Sequence, residues 1–284
     1  MGKDDEHCKG CASFTEGGCA SQECTEERSL AGSLNDVKNV IAVMSGKGGV
    51  GKSSIAGMLA TALSRDGFSV GVLDADITGP SIPRAFGIQG GKLQGTPFGL
   101  IPPESQGGIK VMSINLLLPN EDDPVIWRGP VISGAVKQFW DEVDWRELDY
   151  MVVDMPPGTG DVPLTVLQSL PVTGLVIVFS PQDLVMMVVK KTIKMAQKMN
   201  VPILGLVENM SYAVCSHCGE RLDIFGKSTA QEAAKEMGIP LLAQLPWDPQ
   251  LNRLMDEGRI EDCDEKLLTA LIGNLKKQFG KLHN

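Results

Sequence analysis

Residues 46–53 read Gly-Lys-Gly-Gly-Val-Gly-Lys-Ser. They follow a short apolar run, Val40–Met44, and precede a helical pattern over Ser53–Arg65. This is the phosphate-loop pattern G-x-x-x-x-G-K-[ST] in its strand–loop–helix setting. Glycines at Gly46, Gly48, Gly49 and Gly51, with Val50 and Ser54, let backbone N–H groups turn inward around phosphates, and the helix start adds partial positive charge. Lys52 is expected to reach the β- and γ-phosphates, and Ser53 to bind magnesium. The predicted ligand is a magnesium–nucleoside triphosphate, ATP above all.

Two further stretches place acids just past apolar strands. LDADITGPSIP carries Asp74 and Asp76, and DMPPGTGD carries Asp154. Carboxylates at strand ends are well placed to hold magnesium through water. Each could equally cap a helix or form a turn; beside a phosphate loop the metal-linked reading is preferred.

The third chemistry is thiol chemistry. Cys215 and Cys218 form a C-x-x-C pair, CSHCG. Two thiolates at this spacing can hold one side of a metal site, and a complete site needs four ligands. The pair is then either a redox dithiol or half of a site shared across a two-fold axis. Iron–sulfur clusters and zinc both accept four cysteines. His217 is expected to be a solvated loop residue and Cys263 a lone packing cysteine. Near the amino terminus, Cys8, Cys11, Cys19 and Cys24 lie in a polar segment and are expected to make one further metal site, iron–sulfur or zinc.

The elements that position these groups follow from periodicity. Residues 1–35 hold almost no large apolar side chains and cannot build a core; they form a separate cysteine-rich segment, and residues 36–284 the ATPase domain. Apolar runs at Val40–Met44, Ser69–Leu73, Ile109–Ile114, Tyr150–Val153, Leu175–Phe179, Ile203–Val207 and Leu241–Gln244 read as buried parallel strands. Helical patterns over Ser53–Arg65, Val131–Val143, Val162–Leu170, Leu184–Met199, Thr229–Met237 and Glu265–Leu282 alternate with them. The predicted fold is α/β, a doubly wound, mostly parallel sheet. Gly87–Gly108 reads as a long surface excursion without a period.

Composition narrows the partners. The net charge of −9 disfavours nucleic acid. No apolar run approaches the ~20 residues of a membrane span, and the first residues, MGKDDEHCKGC, carry no secretory signal, so a cytoplasmic protein is expected. Seven cysteines in a reducing compartment point to metal or redox chemistry rather than disulfides. The carboxyl-terminal helix carries Leu267, Leu268, Leu271, Ile272, Leu275 and Phe279 on one face and lysines elsewhere. It is expected to pack on the sheet, without stable membrane association.

The loop form GKGGVGKS resembles the deviant Walker A motif of the MinD/ParA/ArsA/NifH group. That resemblance implies that Lys47 crosses a dimer interface to the partner's nucleotide. It also implies that Asp154 is the Walker B carboxylate, that Asp76 positions the attacking water and that Asp74 supports the magnesium shell. Asn209 and Asp248 match positions that contact the base in related nucleotidases. Taken together, SGKGGVGKS, LDADITGPSIP, DMPPGTGD, SPQDL, VENMSY and CSHCG resemble the Mrp/ApbC family of iron–sulfur carrier ATPases over roughly residues 37–282. The resemblance implies a homodimer in which Cys215 and Cys218 hold a bridging [4Fe–4S] cluster. The cluster is delivered to apo-proteins while ATP is slowly hydrolysed. Eukaryotic scaffold relatives also carry four amino-terminal cysteines, but their close pair lies mid-set, whereas here Cys8 and Cys11 come first. The competing expectations are a ParA/MinD-type positioning ATPase, which leaves the cysteines unexplained, and an ATP-dependent iron–sulfur reductase, whose cysteines would lie far apart in sequence.

Overall fold

The computed structural model describes residues 35–76, 79, 81–89, 93–117, 129–181 and 185–282. The four amino-terminal cysteines, and with them the boundary near residue 35, lie outside the described residues.

Strand β1 (Asp36–Ser45) is polar for its first turns and then fully buried from Val40 to Ser45. A strand hidden on both faces must be central, and β1 lies between β6 (Glu147–Asp154) and β7 (Gly174–Phe179), parallel to both. Outward from β6 come β2 (Val70–Asp74) and β5 (Lys110–Ser113). Outward from β7 come β8 (Ile203–Val214) and β10 (Leu241–Pro246). Among the described residues the sheet order is therefore β10-β8-β7-β1-β6-β2-β5, with every pair in this path parallel.

Helices cover both faces. α1 (Lys52–Arg65) buries Ile55, Met58, Leu59 and Leu63 against β1, β2 and β6. Each such side chain contributes about 1.5–3 kcal/mol of burial. Gly57 within α1 leaves room for Ile260, whose Cδ1 a β-carbon would strike. α2 (Ile82–Ala85) is a single turn, and α3 (Gly129–Glu142), α4 (Asp161–Ser169), α5 (Val185–Lys198) and α6 (Ala230–Met237) follow the strand–helix alternation expected. α8 (Glu265–Leu282) packs on α1, β8 and β10. Its apolar stripe, Leu268, Leu271, Ile272, Leu275 and Phe279, is buried. Lys276 reaches Asp66 at 2.6 Å and stands over the Phe68 ring. No helix of the described residues is long and apolar enough to cross a membrane.

Three features depart from the sequence expectation. The excursion at 87–108 contains a small antiparallel hairpin, β3 (Gly95–Thr96) with β4 (Gly99–Leu100). α7 (Pro249–Asp256) follows β10. And β8 runs seven residues beyond Val207, ending in an antiparallel hairpin with β9 (Arg221–Leu222).

Candidate functional site

The carboxyl ends of β1, β2 and β6 are level, because Asp74 pairs in register with Asp154 and Val43 with Asp154. Ligands of open α/β sheets bind at this edge. Here the phosphate loop leaves β1 and enters α1 at Gly51, whose φ of 78° is left-handed. A β-carbon at Gly51 would also collide with Asn209 Nδ2, so glycine is required twice over. Gly48 and Gly49 have open space where a β-carbon would stand, which leaves the backbone accessible. Ser45, buried, donates to Lys47 O at 2.9 Å and shapes the first turn. Gly158 N–H donates to Ser45 O, tying the loop after β6 to the same root.

Lys52 is the first residue of α1 and is 6% exposed. Its Nζ lies 2.6 Å from Asp154 Oδ1 and 3.2 Å from Asp76 Oδ2. Ser53 Oγ donates to the other Asp154 oxygen at 2.5 Å. Asp74 accepts from Asp76 N–H at 3.1 Å and from Ser113 Oγ at 3.2 Å. Burial by itself would lower the Lys52 ammonium, but the charges of Asp154 and Asp76 outweigh it and hold it above its usual range. Burial, then the charge of Asp154, raises Asp74 well above the ordinary carboxylate range. Burial likewise raises Asp154, against the pull of Lys52. Three buried carboxylates around one ammonium leave an excess of negative charge, which a divalent cation would neutralise.

The oxygen donors present fit magnesium, which takes hard oxygen ligands and keeps several waters. Ser53 Oγ and Asp154 already share one line at the loop's edge. Among the described residues no cluster of three or more His, Cys, Asp or Glu is arranged to hold a metal unaided. Magnesium here would therefore rely on Ser53, water and phosphate oxygens. A cleft of about 290 Å³ opens over the loop, with Lys52, Ser53, Asp76, Pro157 and Met255 on its walls. Lys47 is exposed on the outer turn.

The thiol site stands on the extension of β8. Cys215 follows Val214 directly; its N–H donates to Glu220 O, and Gly219 N–H donates to Cys215 O, both at 2.9 Å. Gly219, with φ 74°, closes this turn. Cys215 is half-buried and Cys218 exposed. The N–H groups of Cys218 and His217 point at the Cys215 sulfur and, with the Cys218 thiol, lower its pKa below the ordinary thiol value. Such amide donors favour the thiolate, the form that binds metal. His217 is exposed. Cys263 is 3% exposed, and burial pushes its thiol up to about 11, the signature of a packing cysteine.

A family model described as the NUBPL iron-transfer P-loop NTPases, of the ParA type, matches residues 36–278. The chain belongs to that family. It is 47% identical over 265 residues to an iron–sulfur cluster carrier protein of Clostridium perfringens, covering 90% of this chain and 92% of the relative. A carrier of the same name from Methanococcus maripaludis is 38% identical over 284 residues, covering 96% and 98%. A nucleotide-binding protein of Archaeoglobus fulgidus, solved in complex with ADP, superimposes with a TM-score of 0.74 at 45% identity, covering 82% of this chain and 92% of that one. The MinD cell-division ATPase of Pyrococcus furiosus shares the fold, with a TM-score of 0.62 at 20% identity, covering 86% and 99%. The matched region contains both the phosphate loop and the cysteine pair.

Lys52, Ser53, Asp74, Asp76 and Asp154 come together as the sequence predicts. Asn209 and Asp248 have structural work of their own. Asn209 is buried and its Nδ2 donates to Val50 O at 3.0 Å, inside the phosphate loop. Asp248 caps α7, accepting from Gln250 N–H at 2.8 Å. Sequence reasoning missed Ser45, Ser113 and Met255. The first two stand at the ends of strands and could have been found there; Met255 lies on α7, which carries no continuous apolar face in the sequence.

Proposed function

We propose that the chain is a cytoplasmic ATP-binding and ATP-hydrolysing carrier that assembles a [4Fe–4S] cluster between two copies of itself and passes it to apo-proteins. The observation that carries this reading is the two-thiol turn of Cys215 and Cys218 at the tip of a strand rooted beside the phosphate loop. One chain offers half of a tetrathiolate site in this turn, and a second copy offers the other half. The hairpin exposes apolar side chains beside its charged ones: Val214, Leu222, Ile224 and Phe225 are 40–53% accessible, among exposed Glu220, Arg221, Asp223 and Lys227. Exposed apolar side chains around an incomplete metal site suit a subunit contact. The four amino-terminal cysteines, Cys8, Cys11, Cys19 and Cys24, serve as a second metal site.

In the hydrolytic step, water attacks the γ-phosphorus, the bond to the β-phosphate oxygen breaks, and ADP and phosphate leave. Lys52 and the loop N–H groups stabilise the phosphate oxygens, and Asp76 orients the water. Lys47 reaches the nucleotide of the partner. Ser53, with water on Asp154 and Asp74, would hold magnesium, which would supply further charge neutralisation. In this reading Asn209 and Asp248 contact the base.

The test is anaerobic reconstitution with iron and sulfide, followed by iron and sulfide analysis per chain. Loss of about four irons per dimer in Cys215→Ala/Cys218→Ala supports the bridging cluster. Unchanged iron, or loss of zinc instead, refutes it.

A further inference from the structure

The hydrolytic residues stand at one end of the sheet and the cysteines on a hairpin beyond it. Three consecutive residues of β8 lie between them. Asn209 donates to Val50 O of the phosphate loop. The Met210 side chain also lies beside Gly51, its Cε 3.6 Å from where a β-carbon would be. Glu208, the residue before them, is 1% exposed and faces the other way. It accepts from Ser211 Oγ at 2.6 Å, from Ser228 Oγ at 2.7 and 2.9 Å, and from Gln244 Nε2 at 2.8 Å.

Those partners enclose the cysteine hairpin. Ser211 lies on the leg that enters it, four residues before Cys215, and Ser228 on the leg that leaves it. Gln244 belongs to β10, where it pairs in register with Glu208, and it also donates to Ser228 Oγ at 2.9 Å. Ser228 accepts from Ala230 N–H, so the same hydroxyl fixes the start of α6. One carboxyl group thus gathers both legs and a neighbouring strand. Such a buried acid is costly to place unless its oxygens are satisfied, and here both have partners.

The backbone between the two contacts is unusual. Met210 has φ 57°, a left-handed value that a non-glycine side chain resists. The β8–β10 register shifts between Gln244 and Pro246, opposite this point. A bulge of this kind redirects a strand, and here it aims β8 out of the sheet toward Cys215.

We propose that Glu208 is a positioning residue of the cysteine site. With Asn209 it forms the link through which occupancy of the phosphate loop reaches Cys215 and Cys218. This rests on the carrier reading above, which makes the cysteine hairpin functional, but its test needs no iron. A shift of the loop at Val50 moves Asn209, and the same peptide moves Glu208, which holds both legs of the hairpin. The nucleotide state therefore sets how firmly the thiol turn is held.

The experiment uses the full-length, reduced, metal-free protein. Alkylation of Cys215 and Cys218 by iodoacetamide is followed by peptide mass spectrometry, with and without Mg-ADP. Cys263 is the buried internal control. In the wild type, Mg-ADP changes the Cys215 rate by about two- to tenfold, the range that one hydrogen bond commands. Ser228→Ala releases the outgoing leg, and its ratio falls to one while Mg-ADP affinity stays at the wild-type value. Glu208→Ala also abolishes the ratio; because it vacates a buried site and risks the fold, Ser228→Ala carries the test. Glu208→Gln, which can still bond both serines, restores it in part. A wild-type ratio of one, or a ratio that persists in Ser228→Ala, overturns the link. Failure of the carrier reading shows separately, as iron that the Cys215→Ala/Cys218→Ala variant does not lose.

Discussion

Replacing Lys52 by Met removes the ammonium from a buried group of acids while nearly keeping its volume. In the wild type Lys52 sits 2.6 Å from Asp154 and 3.2 Å from Asp76, and Asp154 is fully buried. Removing one partner of a buried ion pair costs about 3–5 kcal/mol, because the other charge is left uncompensated. For a domain of this size that lowers the melting temperature by roughly 6–20 °C. The loss depends on pH with a definite sign. A carboxyl raised in the fold stabilises it fully below its unfolded value, near 3.9, and loses that contribution as pH rises through the folded value. Without the lysine the acids rise further, so Lys52→Met should be most impaired at pH 7.5 and recover toward pH 5. Lys52, itself raised, contributes fully below about 10.4 and is lost only at higher pH. Thermal and urea unfolding between pH 5 and 8 measure both variants. The double variant Lys52→Met/Asp154→Asn should recover most of the loss at neutral pH. A Lys52→Met protein as stable as wild type at pH 7.5, or a double variant no better than the single, would refute the charge account. Mg-ADP at about a hundredfold excess over its Kd should add about 2.7 kcal/mol to the wild type and nothing to Lys52→Met.

Gly51→Ala should cost about 1–2 kcal/mol for its left-handed φ alone, and more for the collision with Asn209; calorimetry should show at least tenfold weaker ADP binding. Cys215 should be alkylated with a midpoint below that of an ordinary thiol, since the N–H groups of Cys218 and His217 lower its pKa and raise the thiolate fraction at neutral pH; Cys263 should stay unreactive at pH 8, and equal rates for the two would contradict the hairpin geometry. Ile224→Ser/Phe225→Ser should weaken the cluster-loaded dimer by about 2 kcal/mol, some thirtyfold in Kd, if each half-exposed side chain buries about 1 kcal/mol of apolar surface; sedimentation velocity measures it, and an unchanged dimer would place the contact elsewhere.

The buried strands were legible because each is a run of Val, Ile, Leu or Met long enough to hide on both faces. Their observed limits lie within a few residues of the expected ones, except for β8. After Val207 that strand reads Glu-Asn-Met-Ser-Tyr, which has no apolar continuity. Its extension is held by the Glu208 network and by β9, contacts made with residues 7–36 positions away. α7 was missed because its face is mostly polar; its start is fixed by the Asp248 cap and by Pro249 in the first turn. The phosphate loop could be read outright, since it is contiguous. The meeting of Asp74 with Asp154 could not, for it depends on β2 pairing with β6 across some 80 residues. The bond from the Asn209 amide to the Val50 carbonyl was equally hidden, for it joins residues 159 positions apart.

The central position of β1 has a consequence for synthesis. Its two neighbours are β6, beginning at Glu147, and β7, beginning at Gly174. Ser45 is added to the chain 129 residues before Gly174. At about 5–20 residues per second that is an interval of roughly 6–26 s. Until β6 is complete the apolar run Val40–Met44 has open hydrogen-bonding edges and no permanent partner, and its second edge stays open until β7 is made. The nascent chain is therefore most exposed to self-association before β6 is complete, and a holding chaperone would act on this protein in that window.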